Sequence, residues 1–281
     1  MRVAQISEFG GIQALRLEEV VEPSPGPGEV LIKVTAVGLN FFDTLSLRNK
    51  YQVTPKLPYS PGAEIAGTIG AVGEDVTGIN RGQRVVAFIG GNGCREKVVT
   101  SASKVVPIPD GVSDEAAAGI SIAYGTALHG LKDRGDLKPG ETLAVLGAGG
   151  GAGLAAVEIG KLIGARVIAV ASSKEKLALA RKHGADDGLN YEDEDLKTRL
   201  KDLTQGRRRA LRHSWRRPRR AELARHGLGR ALPRARLCLW DNPADSAQSR
   251  AAQRLLARWC VLDCIRRAQS RAAPRQHDHA P

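Results

Sequence analysis

A chain of 281 residues with 42% hydrophobic content can bury one large core or two ordinary ones. No run approaches the roughly 20 consecutive apolar residues that cross a bilayer, which excludes a membrane-spanning helix as the organising element. The net charge of +12 averages two unlike stretches: residues from Arg207 onward hold 19 Arg, no Lys and five acidic residues, a net +14, leaving −2 for the first 206.

Met1-Arg-Val-Ala-Gln-Ile6 reads as the start of a first strand rather than a secretion signal. The first hundred residues are predicted to be all-β. Val3–Ile6, Val30–Val37, Ala66–Val72, Arg84–Ile89 and Val98–Val106 are β-rich runs. Proline–glycine turns such as Pro23-Ser-Pro-Gly-Pro-Gly28 separate them, which suggests a small barrel or sandwich. A helix is expected after Ser113, because a cap residue is followed by Asp114 and Glu115 in the first turn.

Beyond this point strand and helix alternate. Leu143–Leu146 is a predicted strand, Leu154–Ile163 a helix and Arg166–Ala171 a second, apolar strand. Lys174–His183 is a second helix closed by Gly184, Asp187–Tyr191 a short strand and Leu196–Leu203 the start of a third helix. This order argues a parallel sheet with helical crossovers.

The first of these strand-to-helix turns carries the chemistry. Gly147, Gly150 and Gly153 fall three apart, and Gly147-Ala148-Gly149-Gly150-Gly151-Ala152 also fits G-x-G-x-x-A. Glycines permit a sharp turn and close approach of a pyrophosphate to the free N–H groups at a helix N-terminus. Gly147, Gly149, Gly150, Gly151, Ala152 and Gly153 are therefore the candidate phosphate cradle. The second strand distinguishes the two dinucleotides. An NAD site places Asp or Glu about 20 residues after the glycines, on the ribose hydroxyls. Ser172 and Ser173 stand there instead, Lys176 follows one turn on, and Glu175 lies beside it.

Ordered motifs over residues 1 to 206 resemble the zinc-free quinone oxidoreductases, the zeta-crystallin type, of the medium-chain dehydrogenase/reductase superfamily. They are Pro25-Gly-Pro-Gly-Glu-Val30, Gly38-Leu-Asn-Phe-Phe-Asp-Thr44, Pro61-Gly-Ala-Glu-Ile-Ala-Gly67, Gly73-Glu-Asp-Val76, Tyr124-Gly-Thr-Ala127, Leu137-Lys-Pro-Gly-Glu-Thr142 and the glycine turn. The resemblance implies an α/β protein with a GroES-like β-barrel over 1–112 and a Rossmann domain, a doubly wound parallel sheet, over 113–206. It implies hydride transfer from NADPH to quinones or other electron-poor alkenes and carbonyls; the absence of a disulfide framework among the four cysteines makes a reducing cytoplasm the default expectation. Asn40, Tyr51 and Thr126 would line the nicotinamide and substrate cleft, and Lys176 and Tyr191 would hold the 2′-phosphate beside Ser172 and Ser173. Zinc-dependent relatives carry Cys where Asn40 stands and His where Ala63 precedes Glu64. Neither replacement is a usual zinc ligand, so no metal is expected. Cys94, Cys238, Cys260 and Cys264 form neither a disulfide nor a zinc framework. Glu64 is read as a structural carboxylate and given no chemistry.

After Gly206 the family pattern stops. One base later, codons permitted by Leu211–Pro218 read Tyr-Asp-Thr-Val-Gly-Gly-Asp, a family motif. Those permitted by Ala231–Ala247 likewise yield a strand and a Gly-Phe-Ala-Ser-Gly turn. Trp215-Arg216 and Trp240-Asp241 each force a Gly in that frame. The reading is a frameshift near Gly206. It leaves the Rossmann domain incomplete, with an open sheet edge and an Arg-rich tail over 207–281 expected to be disordered.

Four functions follow. They are NADPH-dependent quinone reduction, enoyl or acryloyl thioester reduction on the same fold, an inactive product of a damaged gene, and non-specific polyanion binding by the Arg tail. The tail has no recognised nucleic-acid-binding module, so no specific nucleic-acid partner is expected. Family members pair as homodimers through a Rossmann edge strand that this chain is expected to lack.

Overall fold

The structure is a computed structural model. It describes residues 1–204 and the backbone strand Ala235–Cys238. Met1–Ile122 form one compact unit, and the described residues from Ala123 onward form a second.

The first unit is built on a five-stranded antiparallel sheet of β3 (Glu29–Gly38), β4 (Glu64–Val72), β5 (Arg84–Phe88), β6 (Lys97–Ser101) and β7 (Val105–Pro107), in the order β6-β3-β4-β5-β7. Beside it, β1 (Arg2–Gln5) pairs antiparallel with β2 (Arg16–Glu19), and single bridges Val3–Arg95 and Ile6–Tyr59 tie the pair down. Both faces of the sheet are covered. Val30, Ile32, Ile65, Ile69, Val85 and Val98 make one core. Ala66, Val86 and Val106 face the other way, onto Ala117 and Ala118 of the short helix α2 (Asp114–Ala118). Ile65 and Ala66 diverge because neighbouring side chains on a strand point to opposite faces. Ser113 caps α2 through Ala116 N–H at 3.2 Å, as the cap residue predicted.

The predicted run Val98–Val106 is not one strand. A turn of 3-10 helix, Ala102–Lys104, divides it. Ser101 Oγ accepts from Ser103 N–H, and Ala102 N–H donates to Gly28 O, so the chain leaves β3 and crosses to pair with β5. Two elements had no strong periodicity: β2, and the six-residue α1 (Phe41–Ser46).

The second unit holds the parallel ladder β10 (Asp187–Asn190), β9 (Arg166–Ala171), β8 (Thr142–Leu146) and β11 (Ala235–Cys238), in that spatial order. Its crossovers are α4 (Gly151–Ile163), α5 (Lys174–Lys182) and α6 (Leu196–Leu203). It opens with α3 (Ala123–Leu128) and a π-helical segment, His129–Arg134. All of β9 after Arg166 is buried, as a parallel strand covered on both faces must be. Ala144, Ile168, Val170 and Leu189 pack on Leu196 and Leu200.

One expectation needs correction. The edge of β8 was expected to be open, but Ala235–Cys238 occupies it in parallel register, Ala235 opposite Thr142 and Cys238 opposite Val145. The backbone N–H and C=O groups of a strand edge need partners, and here the tail supplies them. The remaining expectations for the tail, including the Leu211–Pro218 motif and the disorder, lie outside the described residues.

Candidate functional site: the glycine turn and the Asn40 cluster

In the second unit, β8 ends at Leu146 and Gly147 turns the chain with φ +69°, a conformation that favours glycine. Gly150 N–H closes the turn on Gly147 O at 3.0 Å, and α4 starts one residue later. Gly153 sits on the first turn of α4 and must lack a side chain, because a Cβ would fall 2.1 Å from Gly147 O. Helix and turn are thus in backbone contact, and the unpaired N–H groups at the start of a 13-residue helix face the loop. Gly149, Gly151 and Ala152 complete the arc.

The end of β9 stands beside this turn, since Ala148 N–H donates to Val170 O at 3.2 Å. Ser173 caps α5 by accepting from Lys176 N–H. The Lys176 side chain returns toward the strand, and its Nζ donates to Ser172 Oγ at 2.8 Å. Tyr191 follows β10; its N–H donates to Ala171 O at 3.2 Å, and the residue is 39% exposed. Ser172, Ser173, Lys176 and Tyr191 are therefore gathered at the end of β9. Glu175 is turned to its own cap: the Ser173 hydroxyl holds its carboxylate below the usual range.

Asn40 and Tyr51 belong to the first unit. Asn40 is the residue before α1, and its N–H donates to Asp43 Oδ2 at 2.7 Å. Asp43 Oδ1 in turn accepts from Gly62 N–H at 2.9 Å. Burial pushes the Asp43 carboxyl up, against the pull of these two N–H groups. The Asn40 side chain donates through Nδ2 to Glu64 Oε1 at 2.9 Å. Tyr51 packs on Phe42, ring centroids 5.2 Å apart and tilted by 37°. Ala63 is fully buried, with its carbonyl taking Ile89 and Gly90 N–H. Thr126 lies half-buried on α3. Among the described residues, no group of three or more His, Cys, Asp or Glu side chains could hold a metal ion.

Two features escaped the sequence. Glu64 is buried, and burial raises its carboxyl to about 6, opposed by Asn40 and by the Ile122 and Ser121 N–H groups, with the Asp43 charge adding to the rise. The available signal was a charged residue opening an apolar strand. In the second unit, Glu158 on α4 accepts from Tyr124 Oη and pairs with His183 Nδ1, each at 2.5 Å. Those partners lie 34 and 25 residues away, and no local pattern connects them.

Comparison with known proteins follows the same division. Residues 26–110 match the alcohol dehydrogenase GroES-like domain, and residues 151–211 match the zinc-binding dehydrogenase model. A quinone oxidoreductase-like protein 2 homolog of Nematostella vectensis is 40% identical over 183 residues, covering 64% of this chain and 50% of that protein. The chain spans about half the length of the first curated relatives it matches. Among solved structures, a mycobacterial quinone oxidoreductase is 30% identical with TM-score 0.77, covering 98% of this chain and 90% of the other. Escherichia coli quinone oxidoreductase, solved with NADPH, is 26% identical with TM-score 0.79 over 96% and 88%. These likenesses, read with the two units above, show that the chain belongs to the quinone oxidoreductases of the medium-chain dehydrogenase/reductase superfamily.

Proposed function

We propose that this chain binds NADPH and reduces quinones or related electron-poor alkenes and carbonyls without a metal. The observation that carries the reading is Lys176, a cation held at the end of β9 by Ser172 and lying against the glycine turn. A 2′-phosphate needs a cation and hydroxyl donors at that strand end, where a ribose diol would need a carboxylate. The nearby carboxylate, Glu175, is engaged by Ser173. The cradle also fits a pyrophosphate, because the bare Cα of Gly153 keeps the helix N-terminus against the loop. When bound, NADPH supplies the hydride. The protein's part is binding and orientation: Gly147–Gly153 for the pyrophosphate, Ser172, Ser173, Lys176 and Tyr191 for the 2′-phosphate, Asn40, Tyr51 and Thr126 for the nicotinamide and acceptor. Zinc is left out on chemical grounds. Asn40 Nδ2 is given to Glu64, and Ala63 has no donor side chain.

The test pairs nucleotide titration with turnover. NADPH should bind more tightly than NADH, and a quinone should be reduced faster than an enoyl thioester. Faster thioester reduction would move the assignment to the alternative acceptor on the same fold. Activity of the whole protein also depends on the reading frame. The two forced glycines support a frame change near Gly206, and the second family match stops at residue 211. The nucleotide sequence around codon 206 checks this. A continuous frame shared by independent isolates would refute it, and a restored frame should raise turnover.

A further inference from the structure

Glu64 is not among the proposed ligand contacts, yet it is a buried carboxylate with a donor on each oxygen. It is 1% exposed at the start of β4. Its Oε1 accepts from Asn40 Nδ2 at 2.9 Å, and its Oε2 accepts from Ile122 N–H at 2.8 Å. Gly38 makes the slot for it. A Cβ at Gly38 would stand 2.5 Å from Glu64 Cγ, 2.6 Å from Oε1 and 2.3 Å from the Ala118 carbonyl oxygen. The carboxylate is thus seated among donors, in a space that any other residue at position 38 would fill.

An ionised carboxylate only accepts. Asn40 must therefore turn its NH2 toward Glu64, because the reverse orientation would set two acceptor oxygens against each other. The amide oxygen Oδ1 faces the Asp43 N–H in the capping box that opens α1, and its second lone pair and the second amide N–H are left for other partners. Donation into an anion also enriches Oδ1 in electron density, which strengthens it as an acceptor. We propose that Glu64 is the positioning residue that sets the hydrogen-bonding polarity of Asn40, and through it the acceptor that Asn40 offers a bound ligand. This rests on the reading above that Asn40 touches nicotinamide or substrate.

Asp43, the other charged group facing this cluster, cannot take the role. Its two oxygens are committed to the backbone N–H groups of Asn40 and Gly62. A protonated Glu64, or Gln in its place, carries a donor on one of its two atoms. The backbone donors of Ser121 and Ile122 keep the remaining acceptor on their side. Asn40 must then turn over and present Oδ1 inward.

The experiment is to follow the Asn40 side-chain amide by nitrogen–proton NMR in the full chain, assigned by its loss in Asn40→Ala. In the native protein it should titrate with the Glu64 carboxyl, near the value of about 6 that burial gives that group. In Glu64→Gln the titration should vanish and the signal should take the acid-form position. Turnover with NADPH and a quinone should then fall roughly tenfold or more in kcat, with the KM for NADPH little changed. A native Asn40 amide indifferent to pH across this range overturns the proposal without any variant. So does a Glu64→Gln protein with native amide shift and native kcat. If the amide titrates but ignores saturating NADPH and quinone, Glu64 holds Asn40 as proposed, and the placement of Asn40 in the ligand site is what fails.

Discussion

Lys176 lies across Gly149: a Cβ on Gly149 would stand 2.6 Å from Lys176 Cβ and 2.7 Å from its Cγ, while Lys176 Nζ reaches Ser172 Oγ at 2.8 Å. The middle glycine of the turn therefore does more than admit a phosphate. Its missing side chain is the seat for the stem of the one cation proposed to read the 2′-phosphate. The clashing atoms are the near end of the lysine, which α5 holds in place, so a methyl group at Gly149 cannot be accommodated by moving the ammonium alone.

The first prediction follows. A charge-assisted hydrogen bond contributes about 1.5–3 kcal/mol, so Lys176→Ala should weaken NADPH roughly 10–100-fold and leave NADH nearly unchanged. Gly149→Ala should act in the same direction by displacing the lysine stem. Fluorescence titration of both nucleotides measures the ratio. An unchanged preference in Lys176→Ala would remove the cation from the cofactor assignment.

How far the sequence carried this picture depends on the range of each interaction. The glycine turn was legible because its chemistry is local: Gly147 needs its positive φ and Gly153 its bare Cα within one strand–helix unit. Lys176 could be placed near the cofactor by counting from that turn. Its contact with Gly149, 27 positions away in the chain, could not. The β6–β7 break was only half legible: Ser101-Ala-Ser-Lys104 puts weak strand formers between two valine pairs, but the bond to Gly28 that fixes the break comes from far upstream. Glu64 read as inert for a related reason. Its partners, Asn40 and Ile122, come from β3's exit and from the stretch after α2, and only the folded first unit unites them. The strand Ala235–Cys238 carried the opposite lesson: composition marked the tail as unfit for a sheet, yet the edge of β8 is paired through backbone N–H and C=O groups that every non-proline residue carries.

The second prediction concerns metal. Quinone reduction should persist in a strong chelator, and the purified protein should contain no stoichiometric zinc. Asn40→Cys combined with Ala63→His would rebuild two ligand types at these positions and cost the Glu64 contact. It should lower turnover even with zinc supplied. Activity lost to chelation and restored by zinc in the native protein would contradict the metal-free reading.

The third prediction tests Glu158, whose two oxygens link Tyr124 on α3 with His183 at the end of α5. The carboxylate thus ties α3 and α5 to α4, the helix that begins at the glycine turn. Glu158→Gln keeps the shape but offers one acceptor where two donors are waiting. Losing one of these bonds at a site about one-third open to water costs about 0.5–1.5 kcal/mol. Thermal unfolding should detect the loss, and His183→Gln added to Glu158→Gln should cost less than the sum of the separate changes. Full additivity would show that the bridge contributes nothing to stability.

The fourth prediction is a pH dependence with a definite sign. Glu64 has its carboxyl raised from 4.5 to about 6 in the folded chain, chiefly by burial. Between these values the folded protein binds the proton more tightly than the unfolded one. Stability from this group is therefore fully present below about pH 4.5 and is lost as the pH rises through about 6. A change of about one and a half pKa units corresponds to about 2 kcal/mol. Asp43 is also raised by burial, so the native pH profile alone mixes two carboxyls of the same sign. The difference between native protein and Glu64→Gln isolates Glu64, because Gln does not titrate. Denaturant unfolding from about pH 4.5 to pH 7 should show the native chain losing about 2 kcal/mol relative to the variant. A native chain that instead gains stability relative to the variant as the pH rises would mean that the donors on Asn40, Ile122 and Ser121 outweigh burial. Glu64 would then hold its charge more firmly when folded than when unfolded.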